Sequence, residues 1–420
     1  MEQTASGWLL LNLRSLFRML LPAGSFVFAV CRIGAEAVLK AEVARVCPDW
    51  RPSYMRPGFL TFKLTLPVDS DSVFGIDLVF ARRLGVSLGK TKHRSVESRP
   101  VGDPVDDAIR AAEVWALAAA VDPEAIHLFP RDGALRPPRR VASPSAVAPE
   151  VAMSSKEGSS EGIAVPVTGE TVPEEADDFE VDPIESQLEA FETALAVAAP
   201  ESFVARQASR SAAESDAGRR VLDVCIVGRD EWWVGWHVST DTRADWPGGI
   251  FPRALPEYAI SRGFLKVSEA IAWSGFDLAE GETLVELGCA PGGASQAVLE
   301  MGLNVLGIDP ADIAPVVARH PRFRHLRMRS KDVKRRDFEG VDWLYADINL
   351  PPTYTLDSVE GILEHPTVNF RGLLLILKLS DWALLDDLPE YIERIHSWGY
   401  ANVRVRHLSM NGREVCVAVS

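Results

Sequence analysis

Short apolar runs, each bounded by glycine or polar residues, recur through residues 250–420 of the chain. Four of these runs have the length and composition of buried strands: 283–287, 304–308, 343–346 and 373–377. A glycine turn after the first run is followed by a helical pattern at about 294–301. A second helical pattern puts four apolar residues on one face: Leu385, Leu388, Ile392 and Ile395. Strands that alternate with helices predict an α/β fold with a mostly parallel sheet.

The last residues of the chain have a pattern that is typical of a β-hairpin. Apolar and polar residues alternate over 403–409 and again over 415–419. Asn411 and Gly412, which lie between these runs, are a favoured pair for a tight hairpin turn. We therefore expect an antiparallel C-terminal hairpin at one end of the sheet.

The pattern before residue 240 predicts a second, smaller α+β module. Strands are expected at 26–30, 58–64, 221–227 and 231–238, and helices at 36–46 and 106–120. Trp232, Trp233 and Trp236 lie in the last of these strands. Such rings can stack on nucleic-acid bases, but core packing is the favoured interpretation for at least one of them.

The charge of the chain is concentrated in one segment. Of the net charge of −15, residues 141–200 contribute −12, with 13 acidic residues and a single basic one, Lys156. Proline, serine and alanine dominate from about 131 to 185, which predicts a disordered acidic linker or insert. The predicted division is a leader at 1–25, an N-terminal module at 26–130, the insert at 131–185, completion of that module at 186–240, and a catalytic domain at 250–420.

The cysteines and the N-terminus favour a chain that works in the cytoplasm. The five cysteines are scattered and form no Cys-x-x-Cys pair, so neither a zinc site nor a disulfide framework is predicted, and no metal is expected. The apolar run at 8–13 is followed by Arg14 and Arg18. It is too short and too charged to span a bilayer, and we expect no membrane partner.

The strongest motif is Glu-Leu-Gly-Cys-Ala-Pro-Gly-Gly at 286–293, between the first strand and its helix. Glycines let a ligand approach the backbone closely, and the helix start offers free N–H groups. Asp309 ends the next strand, where an acid can accept hydrogen bonds from ribose hydroxyls. A dinucleotide site would favour Gly-x-Gly-x-x-Gly at this loop. A nucleoside with an amino-acid tail fits the loop better than one with a pyrophosphate.

These motifs resemble those of the FtsJ-like ribose 2′-O-methyltransferases. Their cofactor loop is similar to residues 287–293, and their Ser-Arg-x-x-x-Lys helix is similar to residues 261–266. The resemblance implies a Rossmann-like methyltransferase sheet and S-adenosylmethionine as cofactor. It implies a catalytic tetrad of Lys266, Asp347, Lys378 and Glu414. The expected cofactor-binding residues are Gly288, Ala290, Pro291, Gly292, Gly293, Asp309 and Asp347.

Within that family the chain is most similar to bacterial enzymes that methylate a cytidine of large-subunit ribosomal RNA. This likeness rests on the segment 251–266 and on Arg406-His407-Leu408, a few residues before Glu414. It implies a ferredoxin-like and THUMP-like N-terminal region and RNA, in particular rRNA or its precursor, as partner. The oligomeric state stays open, with a monomer favoured. Ungapped counting puts Arg329 where the relatives carry an acid near the adenine.

The tetrad suits the activation of a ribose hydroxyl. A lysine that is partly desolvated, or beside another cation, has a lowered pKa and can accept the hydroxyl proton. Lys378 follows a buried apolar run and is the expected base. Lys266 would then polarise the site, while Asp347 and Glu414 would orient the two ammonium groups.

Two groups of basic residues are candidates for phosphate contacts. One lies between 319 and 336 and consists of Arg319, Arg322, Arg324, Arg327, Arg329, Lys331, Lys334, Arg335 and Arg336. The other is in the N-terminal module and consists of Arg82, Arg83, Lys90, Lys92, His93 and Arg94. Two rival functions remain: a methyltransferase of this fold on another RNA or a small molecule, and a non-catalytic RNA-binding protein.

Overall fold

The computed structural model describes residues 19–95, 103–131, 184–209, 218–228, 230–240, 245–365, 368–379 and 386–420. Almost all of the predicted acidic insert lies outside these residues. The described chain forms two seven-stranded sheets and one two-stranded sheet. Within the described part, no helix is long and apolar enough to cross a membrane.

The N-terminal module is α+β and contains nine strands and five helices among its described residues. The strands are β1 (Leu20–Leu21), β2 (Phe26–Val30), β3 (Trp50–Arg56), β4 (Phe59–Leu64), β5 (Val68–Asp69), β6 (Arg83–Lys90), β7 (Ala125–Pro130), β8 (Arg220–Gly228) and β9 (Glu231–Val238). The helices are α1 (Glu36–Val46), α2 (Ser70–Phe74), α3 (Pro104–Ala118), α4 (Ile184–Val197) and α5 (Glu201–Ser209). The large sheet has the order β3-β4-β2-β6-β9-β8-β7, and only β7 and β8 pair in parallel.

Helix α4, which follows the insert, packs on the same sheet. The ring of Phe191 lies 4.2 Å from that of Trp232, and Trp115 donates a hydrogen bond to the carbonyl of Leu195. Trp232 and Trp236 are fully buried, so core packing is the correct interpretation for these two rings. Neither ring is available to stack on a base.

The expectation that residues 1–25 form a leader is wrong for its last part. Strand β1 pairs with β5, and the backbone N–H of Gly24 donates to the carbonyl of Leu64. Leu21 is buried. Leu20 and Leu21, which are followed at once by Pro22, form too short an apolar run to stand out as a strand in the sequence.

The C-terminal domain has the predicted α/β arrangement. Its strands are β10 (Thr283–Leu287), β11 (Asn304–Ile308), β12 (Phe323–Leu326), β13 (Trp343–Ala346), β14 (Gly372–Lys378), β15 (Val403–Arg406) and β16 (Glu414–Val419). Its helices are α6 (Gly263–Ser274), α7 (Gly293–Glu300), α8 (Pro315–Ala318), α9 (Pro352–Leu363) and α10 (Leu388–His396), with 3-10 turns at Pro247–Gly249, Ser330–Asp332 and Arg335–Phe338. Leu385, predicted on the face of α10, lies outside the described residues.

The sheet has the order β12-β11-β10-β13-β14-β16-β15. The first five strands are parallel, and β16 and β15 are antiparallel to their neighbours, as the sequence predicted. The predicted tight turn is wrong, however, because β15 ends at Arg406 and residues 407–413 form a longer connection. Asn411 is buried there, and its Oδ1 accepts a hydrogen bond from the N–H of Leu408. Asn411 therefore belongs to this longer connection and not to a two-residue turn between the strands.

Candidate active site

A cavity of about 380 Å³ opens at the carboxyl ends of the parallel strands. Strands β10, β13 and β14 lie side by side there, so residues that follow them are brought together. The cavity is lined by Ser261, Arg262, Gly263, Lys266, Glu286, Gly288, Cys289, Ala290, Gly293, Ala294, Asp347, Lys378, Met410, Gly412 and Glu414. The edge of an open α/β sheet at which strand order reverses is a general position for ligand binding.

All four residues of the expected tetrad meet in this cavity. Lys378 Nζ lies 2.6 Å from Asp347 Oδ1 and 2.5 Å from Glu414 Oε2. Lys266 Nζ lies 3.0 Å from the other Asp347 oxygen and 2.7 Å from the other Glu414 oxygen. Each carboxylate therefore bridges both ammonium groups, and the four side chains form a closed ring of alternating charge. The Tyr345 hydroxyl donates a further hydrogen bond, of 3.3 Å, to Asp347.

The ring changes the expected protonation of Lys378. Burial alone lowers the pKa of Lys378, but Asp347 and Glu414 outweigh it and raise that pKa above its usual value. The expectation of a lowered lysine pKa is therefore wrong for the free protein, because two carboxylates stabilise the ammonium. Burial raises the pKa of Glu414, yet Lys266 and Lys378 outweigh burial and hold it at about 2. At neutral pH Lys378 is therefore an ammonium and Glu414 a carboxylate.

The glycine loop after β10 fits tightly against the loop after β13. Gly288 has a φ of +86°, and a Cβ at this position would lie 2.5 Å from the backbone oxygen of Asp347. Only glycine meets both demands. The predicted cofactor residues Gly288, Ala290, Gly293 and Asp347 line the cavity, whereas Pro291, Gly292 and Asp309 do not.

Replacing Gly288 with alanine tests this close approach. The new Cβ would require the Asp347 backbone to move and would place a side chain at a positive φ, so we expect a loss of roughly 1–3 kcal/mol in the free energy of unfolding. Urea denaturation of the two proteins measures it. Gly340→Ala, in an exposed turn also at positive φ but with open space around its Cβ, is the matched control for backbone strain alone. Equal losses in the two variants would contradict a specific contact.

Asp309 is held at the end of β11 by the glycine loop. Its carboxylate accepts hydrogen bonds from the N–H of Ala290 at 3.2 Å and of Ala311 at 2.8 Å. The side chain therefore lies beside the loop. An acceptor in that position suits a hydroxyl-bearing ligand that extends out of the cavity.

The sequence did not single out Glu286 as a site residue, although it opens the glycine motif. Its carboxyl is fully buried and accepts a hydrogen bond of 2.5 Å from the Ser295 hydroxyl. The pKa of Glu286 is raised to about 8, chiefly by burial and also by the nearby Asp347 and Asp309, against the lowering effect of Ser295. Ser261 and Arg262 were also missed as lining residues, although the Ser-Arg-x-x-x-Lys motif contains them.

The connection 407–413, which carries the ring residue Glu414, is held from both domains. Fully buried Glu269 accepts hydrogen bonds from the N–H and hydroxyl of Ser409, at 2.8 and 2.7 Å, and from the N–H of Met410 at 2.7 Å. From the N-terminal module, Arg32 donates to the carbonyl of Asn411 at 2.7 Å. Asn411 in turn donates to Glu414 Oε1 at 3.3 Å. A chain of contacts thus joins the N-terminal module to the ring.

The described residues of the two predicted basic groups do not line the active-site cavity. In the group at 319–336, three arginines are paired with acids: Arg322 with Glu280, Arg324 with Asp337, and Arg327 with Asp312. Arg329 is exposed and does not line the cavity. In the N-terminal group, Arg82 and Arg83 are buried, so the expectation that they add exposed positive charge is wrong. Arg82 donates a hydrogen bond to the carbonyl of Ser409, and Arg83 donates one to the carbonyl of Trp246.

One buried group was not anticipated. Ligand atoms of His127, Asp223 and His237 lie within 4.8 Å of one another, an arrangement that could hold a metal ion. The carboxylate of Asp223 already has cationic or hydrogen-bonding neighbours, with His237 Nδ1 at 2.6 Å and Arg83 Nε at 4.0 Å. These neighbours account for the buried charge, and we assign no metal chemistry to the group.

Part of the chain is similar to known methyltransferases. The FtsJ-like methyltransferase family model matches residues 259–384. The ribosomal RNA large subunit methyltransferase M of Halorhodospira halophila is 37% identical over 183 residues, which cover 42% of this chain and 51% of that protein. The protein of the same name from Laribacter hongkongensis is 31% identical over 41% of this chain and 51% of its own length. The chain spans about half the length of the relatives it matches.

Among solved structures, TrmN from Thermus thermophilus aligns over 94% of this chain and 99% of its own, with 12% identity and a TM-score of 0.32. That likeness is too low to carry an argument. The matched segment contains the glycine loop, Lys266, Asp347 and Lys378, while Glu414 lies beyond it. The resemblance inferred from the sequence is confirmed: this part of the chain is similar to the FtsJ-like methyltransferases, and to the enzymes named ribosomal RNA large subunit methyltransferase M in particular.

Proposed function

We propose that this protein is a cytoplasmic enzyme that transfers a methyl group from S-adenosylmethionine to a ribose 2′-hydroxyl of RNA, most specifically of large-subunit ribosomal RNA. The observation that carries the proposal is the ring of Lys266, Asp347, Lys378 and Glu414 at the carboxyl edge of the sheet. Three of its members, Lys266, Asp347 and Lys378, lie in the segment that is similar to FtsJ-like methyltransferases, which also contains the glycine loop. A non-catalytic RNA-binding protein would gain nothing from two half-buried lysines held against two carboxylates.

The residues around the cavity fit S-adenosylmethionine. The loop of Gly288, Ala290, Pro291, Gly292 and Gly293 would lie against the amino-acid tail. Asp309 would accept hydrogen bonds from the ribose hydroxyls, and Asp347 would border the sulfonium. When bound, the cofactor supplies a methyl group that its own positive sulfur activates.

The chain's own residues then act on the acceptor hydroxyl. In the free protein Lys378 is an ammonium, so it must release that proton before it can accept one from the hydroxyl. Asp347 and Glu414 hold the Lys378 nitrogen in place, and Lys266 shares the same two carboxylates. Fixing the hydroxyl oxygen in line with the methyl carbon is the larger part of such catalysis. The hydroxyl proton ends on the Lys378 amine.

The raised pKa of Lys378 predicts how the rate depends on pH. A raised pKa keeps the ammonium form dominant through neutral pH, and the amine fraction grows as pH rises toward that pKa. We expect kcat to increase by about tenfold between pH 7 and pH 8 and to continue rising at pH 9. Single-turnover methyl transfer across this range measures it, with protein stability followed in parallel. A plateau from pH 7 upward would exclude Lys378 as the base.

Asp309→Ala tests the cofactor assignment. Loss of a ribose acceptor should weaken S-adenosylmethionine binding by about tenfold, the effect of one hydrogen bond to a charged group. Isothermal titration calorimetry gives the dissociation constant, and the exposed Asp312→Ala variant is the control on the same loop. Unchanged affinity in Asp309→Ala would sink the assignment.

The N-terminal module is the proposed RNA-recognition part. We infer a ferredoxin-like and THUMP-like arrangement for it, and a monomer in solution. A catalytic domain of this size offers little surface for selecting one nucleotide in a large RNA, and sequence-specific RNA recognition usually needs contacts over a wider area. Its seven-stranded sheet and described helices supply that additional surface.

Nucleoside mass spectrometry of ribosomal RNA from a strain that lacks the gene tests the function. The expected result is the loss of one 2′-O-methylated nucleoside, restored by the wild-type gene and not by a Lys378→Met copy. Loss of a 2′-O-methyl group from another RNA would keep the reaction and change the substrate. An unchanged set of modified nucleosides, together with no transfer in vitro, would reject the proposal.

A further inference from the structure

A second cavity, of about 330 Å³, lies between the two domains. The N-terminal module contributes the segment around Phe74–Leu84 and residues 237–240, and the C-terminal domain contributes Trp273 and strand β15. Four arginines line it: Arg82, Arg83, Arg404 and Arg406. Asp77 is the single acidic residue in this lining, so arginines outnumber acids by four to one.

Each of these arginines is fixed in place by a backbone carbonyl. Arg82 donates to Ser409 at 3.3 Å and Arg83 donates to Trp246 at 2.7 Å. Arg404 donates to the carbonyl of Ser274, and Arg406 donates to the carbonyl of Leu78. A carbonyl orients a guanidinium without neutralising its charge, so the four groups are preorganised and remain cationic.

Two of the four arginines lie near an acid. Arg406 lies 3.1 Å from Asp77, whose side chain is 69% exposed, and Arg83 lies 4.0 Å from Asp223. Asp223 is shared with His237, whose Nδ1 is 2.6 Å away. The attraction is weakened by water in the first pair and by distance in the second.

The excess of positive charge in the cavity comes from Arg82 and Arg404. Among the described residues, Glu269 is the carboxylate that raises the pKa of Arg82, and burial raises the pKa of Glu269 and so disfavours its charge. Burial lowers the pKa of Arg82 to about 10, which still leaves a cation at neutral pH. Arg404 has no carboxylate within ion-pair distance among the described residues, and its guanidinium lies 5.3 Å over the ring of Trp273. A site with surplus charge and fixed donors is suited to an anion.

The cavity adjoins the active site through the connection 407–413. Arg82 binds the carbonyl of Ser409 on one side, while Met410 and Gly412 line the active-site cavity on the other. An anionic chain that ran across this connection could contact both cavities. A ribose in the active site carries phosphates on either side of it, and such a chain is therefore RNA.

We propose that the cavity between the domains binds a backbone phosphate of the RNA substrate, with Arg404 and Arg406 as donors from the catalytic domain and Arg82 and Arg83 from the N-terminal module. The inference rests on the proposed function for its ligand. The guanidinium fork matches a phosphate in a bidentate manner, which a lysine ammonium does not. Contacts from both domains would fix their relative position when RNA binds.

The test is the salt dependence of RNA binding by the full chain. A fluorescently labelled rRNA fragment is titrated by anisotropy at several KCl concentrations with wild type, Arg404→Ala and Arg404→Lys. Arg404 is the exposed member of the four, so its loss should leave the fold intact, which the melting temperature checks. We expect Arg404→Ala to reduce the slope of log Kd against log salt by about 0.7–0.9, the share of one phosphate contact. Arg404→Lys should keep the slope and lose part of the affinity.

Arg322→Ala is the matched control, because Arg322 is an exposed arginine of the same domain that is paired with Glu280. Equal slopes for wild type, Arg404→Ala and Arg322→Ala would overturn the phosphate site for RNA. Thermal stabilisation by inorganic phosphate, present in wild type and lost in Arg404→Ala, would then assign the cavity to a free phosphate group instead. A reduced slope in a protein that shows no methyl transfer would keep the site and reject the proposed function.

Discussion

Replacing Lys378 with methionine is expected to lower kcat for methyl transfer by about a hundredfold to ten-thousandfold, the usual contribution of a positioned general base. Methionine keeps most of the length and packing of the lysine stem and removes only its nitrogen. That nitrogen lies within 2.6 Å of both Asp347 and Glu414, so its loss also removes the contact that orients the two carboxylates. Single-turnover transfer to rRNA measures the effect.

Binding of S-adenosylmethionine should survive this substitution. Asp309 and the glycine loop are held by their own backbone hydrogen bonds and do not depend on Lys378. The variant leaves two carboxylates beside the single cation Lys266, so the pKa of Glu414 should rise from its value near 2. Lys331→Met, at an exposed lysine, is the control. A Lys378→Met rate within tenfold of wild type would remove Lys378 from the mechanism.

The strands of the catalytic domain could be predicted because their burial is complete. Residues 283–287, 304–308 and 343–346 form strands with the predicted bounds, and each is an apolar run between polar residues. Strand β12 was missed, since Arg324 and His325 interrupt an edge strand that is buried on one side only. Helix α9 was missed as well, because its start at Pro352 follows a second proline and its buried face includes the polar residues Thr355 and Ser358.

The strands of the N-terminal module were harder to predict because several of them are only partly buried. Strand β3 at Trp50–Arg56 is largely exposed and contains Pro52, and strand β6 at Arg83–Lys90 contains two glycines. Neither has the alternation that marks a half-buried strand. These strands form through pairing with neighbours that lie far away in the chain, and a local pattern does not encode such pairing.

The identities of the candidate site residues could be predicted, but their electrostatics could not. Strand ends place Asp347 and Lys378 at one edge of the sheet, and the resemblance supplied Lys266 and Glu414. Whether the pKa of Lys378 falls or rises depends on a competition between burial and two carboxylates at specific distances. Likewise, the burial of Arg82 follows from how the domains pack, which residue type alone does not reveal.

The ring of Lys266, Asp347, Lys378 and Glu414 is held in part by the N-terminal module, so a substitution in that module should lower kcat. Arg32 lies in that module, outside the active-site cavity, and its guanidinium donates a hydrogen bond of 2.7 Å to the carbonyl of Asn411. Asn411 donates to Glu414, which binds both lysines of the ring. A hydrogen bond from a charged group contributes about 1.5–3 kcal/mol. We therefore expect Arg32→Ala to lower kcat by roughly 10- to 100-fold at saturating RNA.

The separation of kcat from the binding constants distinguishes this positioning role from a direct contact with RNA. If Arg32 acts through Asn411, the loss appears in kcat, while the KM for RNA and the Kd for S-adenosylmethionine stay near wild type. If it binds RNA, the loss appears in KM and in the salt dependence. Arg51→Ala, at an exposed arginine of the same module that donates to Pro48, should change neither.

Asn411→Ala should reproduce the kcat defect and, combined with Arg32→Ala, add little to it, because both residues act on Glu414 through one chain of contacts. Full additivity in the double variant would show that Arg32 acts by another route.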